Sequence, residues 1–302
     1  MRAKFILTQV PETYCPECKA YPFQINLKNL RKYFYSEPII CGKCGAKIDW
    51  WSTLLRHLDW QFPDDVFGLI GALVTRFNVE MKRNESIAID FESFGIPTNS
   101  KILSIGYSPN GGLIPLEVHG NAPRRHFNPH KIALFGMPFG DPTDSTEVIV
   151  SANWIIDSFA DNAWQNLIQA FEAYAIFKYS VAIIPANVAV ESTLYNIMQT
   201  FLVRYSSKKR IEDFLDSRAT YSHQLNILLP LVANTFSFPK LPDNIRGNLN
   251  RLRNLRNDLA HKGASEIPIA KADCANLLTA AVFGLGYLSI LEKHMESSIK
   301  IP

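Results

Sequence analysis

The sequence predicts an α+β multidomain chain in three parts: a cysteine-knuckle segment over 1–55, an antiparallel β-sandwich-like domain over 60–154 and an α-helical bundle over 155–302. Three observations predict it. Four cysteines fall in two C-x-x-C pairs near the start. From about 67 to 154, apolar residues alternate in short runs broken by Gly, Pro, Asn and Asp. From about 157 onward, apolar residues recur with helical spacing.

Composition narrows the classes. The chain has 302 residues, 47% of them hydrophobic and 20% charged, as expected of a globular protein with a sizeable core. The formal net charge is only +3, so any attraction for nucleic acid must come from local patches. The N-terminus "MRAKFILTQVPETYC" has no long apolar core, so no signal peptide is read. Cysteines in C-x-x-C pairs suggest metal binding rather than a disulfide framework, and they suit a reducing, cytoplasmic setting.

The first part begins with strand-like "KFILTQV" and "YPFQINL" around the turns "CPEC" and "CGKC". Four thiolates from Cys15, Cys18, Cys41 and Cys44 can hold one zinc ion tetrahedrally. Such a set closes the coordination shell, so the expected Zn2+ is structural, one per chain. The segment resembles a zinc ribbon over about 45 residues. Two roles stay open. Lys19, Lys28, Arg31, Lys32, Lys43 and Lys47, interleaved with Tyr21, Phe23, Tyr33 and Phe34, suit contact with nucleic acid or a partner. Alternatively the metal simply staples a segment too small to fold on its own core.

In the middle part "RFNVEMK" alternates Phe77, Val79 and Met81, and "RNE" turns the chain into "SIAIDFES". The runs "KILSIGY", "GLIPLEVH", "IALFGMP" and "EVIVSANW" follow as further strands. The loop "HGNAPRRHFNPHK" holds His119, His126, His130, Arg124, Arg125 and Lys131; it reads as solvated surface, with metal or phosphate contact as the alternative. Asp90, Asp141 and Asp144 fall at turns or strand edges with no evident pairing.

The last part opens with a helix carrying Trp164, Leu167, Ile168, Phe171 and Ala175, separated by Pro185 from a second, "NVAVESTLYNIMQTFLVRY". "ATYSHQLNILLPLVANTF" predicts a third, kinked at Pro230. "PDNIRGNLNRLRNLRNDLAHKG" predicts the next, with start signals at Pro242 and Asp243 and a stop at Gly263. "CANLLTAAVFGLGYLSIL", 274–291, carries no charge and reads as a buried helix rather than a membrane span; Cys274 reads as a small buried hydrophobe.

The 243–262 helix is the candidate site. At about 100° per residue, Ile245, Leu249, Leu252, Leu255 and Leu259 share one stripe, the core side. Arg246, Asn250, Arg253, Asn257 and His261 form a second stripe with no acid, suited to an anion such as RNA phosphate, with Lys262 beside it. Arg256 lies beside the leucine stripe, roughly 140° from His261, where a guanidinium needs a partner or a cleft.

"RNDLAH", Arg256 to His261, resembles the R-x4-H motif of HEPN domains, and the penultimate-helix position and the domain length agree. The resemblance implies a dimerising helical bundle with two Arg-His pairs in one cleft. It implies a metal-independent endoribonuclease, with Arg256, Asn257 and His261 as catalytic candidates and no cofactor for catalysis. Glu191 matches the acidic residue that such domains often place nearby. By the same resemblance the enzyme serves as a toxin or an anti-phage, abortive-infection effector, its partners being RNA, a second copy and a phage-derived or other protein trigger, with no membrane. The alternative is a non-catalytic HEPN-like scaffold that binds RNA or a nucleotide. In a purely structural reading His261 caps its helix and Arg256 binds an acid such as Glu191.

The chemistry suits these residue types independently. Cleavage through the 2′-OH needs one proton taken and one given, and histidine does either near neutral pH. The helix C-terminus, where His261 sits, favours a cation. Arginine holds the charge that develops on phosphorus. The products are a 2′,3′-cyclic phosphate and a 5′-OH.

Overall fold

The computed structural model describes residues 5–9, 15–20, 26–60, 68–69, 72–117, 130–140, 143–156, 162–262 and 268–299. The chain divides into two compact units. One combines Met1–Glu12 with Ile70–Ala160; the other combines Thr13–Leu69 with Asp161–Pro302. The cysteine segment belongs to the helical unit, and the strand before it belongs to the β unit.

The β unit holds two antiparallel sheets. β1 (Ile6–Gln9), β2 (Leu73–Lys82), β4 (Ser100–Pro109) and β7 (Ser145–Ile156) form one, in the order β1-β2-β7-β4. β3 (Ser86–Asp90), β5 (Leu113–Glu117) and β6 (Lys131–Pro138) form the other, in the order β3-β6-β5. All six strands expected in this region are present. Period-two alternation turns Phe77, Val79 and Met81 of β2 and Val148, Val150, Ala152 and Trp154 of β7 into one core with Ile89, Leu113 and Leu134 of the second sheet. The expected "RNE" turn is present: Asn84 has φ +58°, a left-handed conformation that asparagine tolerates.

The strand-like "KFILTQV" contains β1, and most of "YPFQINL" lies outside the described residues. In the helical unit α1 (Leu27–Phe34) and α2 (Trp50–Trp60) are helices that were not expected. α1 is amphipathic: Leu30 and Phe34 are buried, and Asn26 caps it by accepting from the Asn29 amide at 2.9 Å. Both helices pack on α9 (Lys271–Ile299), where Phe283 meets Tyr33 and Trp51 and Tyr287 meets Phe34. Among the described residues, the link between the knuckles carries α1, and an antiparallel bridge from Ile40 to Lys47 flanks the second knuckle. An eight-residue helix is marginal alone, and α9 supplies the tertiary packing that decides for it.

α3 (Asn162–Ala175) and α4 (Tyr179–Leu202) are divided at Phe177, not at Pro185. Phe177 has φ +62°, its amide donates to Tyr174 O at 3.0 Å, and the Lys178 amide donates to Ala173 O at 2.9 Å. This is a Schellman ending with phenylalanine in the place usually taken by glycine. Pro185 lies inside α4, and the carbonyl it cannot bond belongs to Val181, which is on the exposed side. α5 (Lys208–Ser217) was not expected. The expected 219–236 helix is α6 (Tyr221–His223), a π-helical turn (Gln224–Leu228) and α7 (Leu229–Thr235). The widened turn precedes Pro230 and absorbs the irregularity that its missing N–H imposes.

α8 (Asp243–Lys262) ends where expected. Ile245, Leu249, Leu252 and Leu259 are buried, while Leu255 is half-buried. α9 is the centre of the unit. It is long and apolar enough to cross a bilayer, but 89% of its apolar window is buried. Leu249 of α8 lies 3.0 Å from where a Cβ on Gly284 would stand, and Leu30 of α1 only 2.0 Å from one on Gly286. The two glycines bring α8 and α1 onto α9.

Candidate functional site

The cysteine cluster is assembled by two knuckles with the same backbone. The Cys15 amide donates to Ala20 O at 2.7 Å and the Lys19 amide to Cys15 O at 2.9 Å; Cys41, Ala46 and Gly45 repeat the pattern at 2.9 Å each. Lys19 and Gly45, the residues after each pair, share positive φ of 59° and 74°. The four sulfur atoms lie within 4.8 Å of one another, with Cys15–Cys44 at 3.7 Å and Cys18–Cys41 at 3.8 Å. Sulfurs on a tetrahedron with Zn–S of about 2.3 Å stand about 3.8 Å apart. Cys41 and Cys44 are pushed in opposite directions. The Cys44 amide, against desolvation, draws Cys41 down to about 7. At Cys44 the Ala46 amide also pulls down, but desolvation and the neighbouring sulfurs push the thiol up to about 12. A divalent cation removes that conflict by replacing the protons. The site thus fits a metal ion such as zinc. Phe34 is buried and Tyr33 packs on Phe283, so these two aromatics dock the segment rather than offer a stacking surface. Tyr21 and Phe23 lie outside the described residues.

On α8, burial of four aliphatic side chains, each contributing about 1.5–3 kcal/mol, fixes the rotation of the helix. Exposed ion pairs, each worth about 0–1 kcal/mol, cannot compete with that. The predicted polar stripe therefore faces away from α9, but it is not free of acids. Arg246 Nη2 meets Asp243 Oδ1 at 2.6 Å. Arg253 Nη1 meets Glu191 Oε2 of α4 at 3.4 Å. The acid-free stripe read from spacing is corrected on both counts. Asp243 lies one turn earlier on α8, and Glu191 arrives from another helix.

Arg253 also lies over the Tyr221 ring, 5.8 Å from its centroid. Burial, then the Glu191 carboxylate, push the Tyr221 phenol above its ordinary value, so Tyr221 is a neutral ring beneath a cation. Glu191 Oε2 accepts a second bond, from Asn187 Nδ2 at 2.8 Å. Asn250 exchanges two amide hydrogen bonds with Asn226, each 3.1 Å. Asn187, Tyr221 and Asn226 belong to this site and carried no signal in the sequence, because each comes from a helix distant in the chain.

Arg256 is half-buried, and its Nη1 donates to Asn257 Oδ1 at 3.3 Å. Its length carries the guanidinium from beside the leucine stripe onto the polar face. Glu191 pairs with Arg253, not with Arg256. His261 is exposed in the last turn of α8, about 7.5 Å along the axis from Arg256. Among the described residues no carboxylate pairs with Arg256 or His261. Lys262 closes α8, and its side chain lies outside the described residues.

The weaker candidates resolve simply. His130 is 7% exposed, and its Nε2 lies 2.8 Å from Ser100 O, a structural contact. Lys131 pairs with Asp90 at 3.0 Å, and that lysine holds the Asp90 carboxyl below its usual range. His119, Arg124, Arg125, His126 and Asp141 lie outside the described residues. Cys274 is buried, and burial pushes its thiol up to about 12. Comparison with protein-family models, with curated proteins and with solved structures returned no match.

Proposed function

We propose that this chain is a metal-independent endoribonuclease of the HEPN type that works as a dimer, in the cytoplasm, as a toxin or anti-phage effector released by a protein trigger. In this reading Arg256, Asn257 and His261 do the chemistry. Arg246, Asn250, Arg253 and Lys262 contact the RNA, and Glu191 supports the face they form.

The observation that carries the reading is His261. It is exposed, it has no carboxylate partner among the described residues, and Arg256 is turned toward Asn257 one turn before it. A histidine kept for packing would be buried in its own chain.

The steps follow from the residue types. The 2′-OH attacks the adjacent phosphorus while one His261 takes its proton. Arg256 holds the charge that builds on the phosphorane oxygens. The bond from phosphorus to the 5′-oxygen then breaks, and His261 of the partner subunit protonates that oxygen. A 2′,3′-cyclic phosphate and a 5′-OH remain.

The α4 surface supports the dimer. Val181 and Ile184 are 46% and 39% exposed and share one helical stripe with Glu191, and Phe177, 76% exposed, stands just before the helix. An apolar stripe running up to the polar face is a surface that a second copy can cover.

The test is incubation of the purified protein with total RNA, magnesium omitted, beside His261→Ala. Cleavage with cyclic-phosphate ends, reduced about 10²–10⁴-fold in His261→Ala, is expected. Equal cleavage by His261→Ala, or cleavage at a 2′-deoxy position, overturns the mechanism. RNA binding without cleavage under any condition would favour the scaffold reading instead.

A further inference from the structure

A cavity of about 190 Å³ opens at the start of α8, far from His261 along the helix. Its walls come from the π-helical turn, the crossing before α8, and α9. Leu225, Pro230 and Leu241 make it apolar, and the fully buried Tyr287 closes it from α9. The Tyr287 hydroxyl already donates to Pro239 O at 2.7 Å, so the tyrosine offers the cavity its ring rather than a hydrogen bond. Lys240, Asp243 and Arg246 stand at the polar side.

Size and chemistry limit the occupant. The volume far exceeds what one water or one ion needs, about 10–30 Å³, and falls below the roughly 300–1,000 Å³ of pockets for larger ligands. Apolar and aromatic walls suit a flat ring. Lys240, beside the Arg246–Asp243 pair, leaves one net positive charge at that side, which suits a phosphate attached to that ring. Asp243 can accept from an exocyclic amino group, since its carboxylate is 88% exposed and only one oxygen meets Arg246.

Two further features lie beside the cavity. One is the π-helical turn, a geometry that often marks functional sites, and its Asn226 ties this wall to Asn250 of the polar stripe. The other is Gly247, which follows Arg246. A Cβ there would meet nothing within 4 Å, so no packing requires the glycine. In a helix interior glycine costs about 1 kcal/mol relative to alanine. Its bare backbone leaves the helix surface open beside Arg246.

We propose that this cavity is a subsite for one unstacked nucleobase and its phosphate, supplied by the same RNA strand that lies along α8 to His261. The proposal rests on the ribonuclease reading only for the identity of that strand. Arg246 and His261 are 15 positions apart, about 22 Å on an α-helix. At 3.4 Å per stacked nucleotide this spans about six nucleotides, and fewer if the strand is extended. One base within that distance of the scissile bond is therefore read, as single-stranded RNA-binding proteins read splayed bases.

The experiment is binding, not cleavage. Twelve-nucleotide single-stranded RNAs, 2′-deoxy throughout the cleaved region and each carrying one abasic position, are titrated by fluorescence anisotropy into the wild type, Leu241→Trp and Lys240→Glu. A single abasic position within six nucleotides of the scissile bond is expected to weaken binding about tenfold. Leu241→Trp fills the cavity and is expected to erase that positional effect while retaining the folded circular-dichroism spectrum and most of the remaining affinity. Lys240→Glu is expected to weaken all strands and lower the salt dependence. Adenosine and uridine monophosphates are titrated alongside. If they bind as tightly as the strand and only Leu241→Trp stops them, a free nucleotide is the occupant and the strand assignment is overturned. No abasic effect and no mononucleotide binding overturns the subsite, whether or not the protein cleaves RNA. A clear abasic effect in a protein that cuts nothing sustains the subsite and rejects the nuclease.

Discussion

Arg253 and Glu191, 62 residues apart in the chain, meet across the α4–α8 contact with Nη1 and Oε2 3.4 Å apart. The pair is a quarter to a third exposed, and Tyr221 lies under the guanidinium. One of the arginines that look free on α8 therefore already has an anion. Glu191→Gln is expected to lower stability by about 1 kcal/mol, since the pair is partly screened by solvent. The same change is expected to tighten RNA binding and steepen its salt dependence, because Arg253 is released toward phosphate. Thermal denaturation and a salt titration read the two effects. A variant that binds RNA more weakly, with a flatter salt slope, would show that Glu191 does not restrain Arg253.

The cysteine cluster is expected to carry about one zinc per chain. Cys41→Ser should lose the metal and raise hydrogen exchange in α1, which is joined to a knuckle at each end. Elemental analysis finding no metal in protein purified without chelator would reject the site. So would full metal retention in Cys41→Ser.

Two helical glycines should respond with opposite signs. At Gly286 a new Cβ would come within 2.0 Å of Leu30 Cδ2, and Leu30 is itself buried. Gly286→Ala is expected to destabilise by about 1–3 kcal/mol through overpacking. At Gly247 the space is open, and Gly247→Ala is expected to stabilise by about 1 kcal/mol. Denaturant unfolding of both variants checks the pair. A neutral Gly286→Ala would mean that α1 does not seat on α9 as described.

The exposed stripe of α4 should hold two copies together. Light scattering at micromolar concentration is expected to report a dimer, and Val181→Glu a folded monomer with far weaker cleavage. A wild type that stays monomeric with and without RNA would remove the composite site.

Some of this protein was legible from its sequence because the decisive interactions are local. Each cysteine knuckle closes within six residues through its own backbone hydrogen bonds. Six strands followed from alternation, and α8 followed from a leucine stripe and its end signals. The same local reasoning oriented α8, because aliphatic burial outweighs anything on its polar face. Tertiary structure decided the rest. α1 exists as a helix because α9 offers Gly286, Phe283 and Tyr287 to receive it. The chain breaks at Phe177 because packed helices sustain a left-handed phenylalanine, which no local preference would select. β1 left the cysteine segment for an edge of the β2 sheet, where Ile6 stands opposite Phe77. Above all, the charge on α8 could not be counted along α8. Glu191, Asn187, Tyr221 and Asn226 come from helices whose approach depends on the whole bundle, and they determine which donors on that face are already occupied.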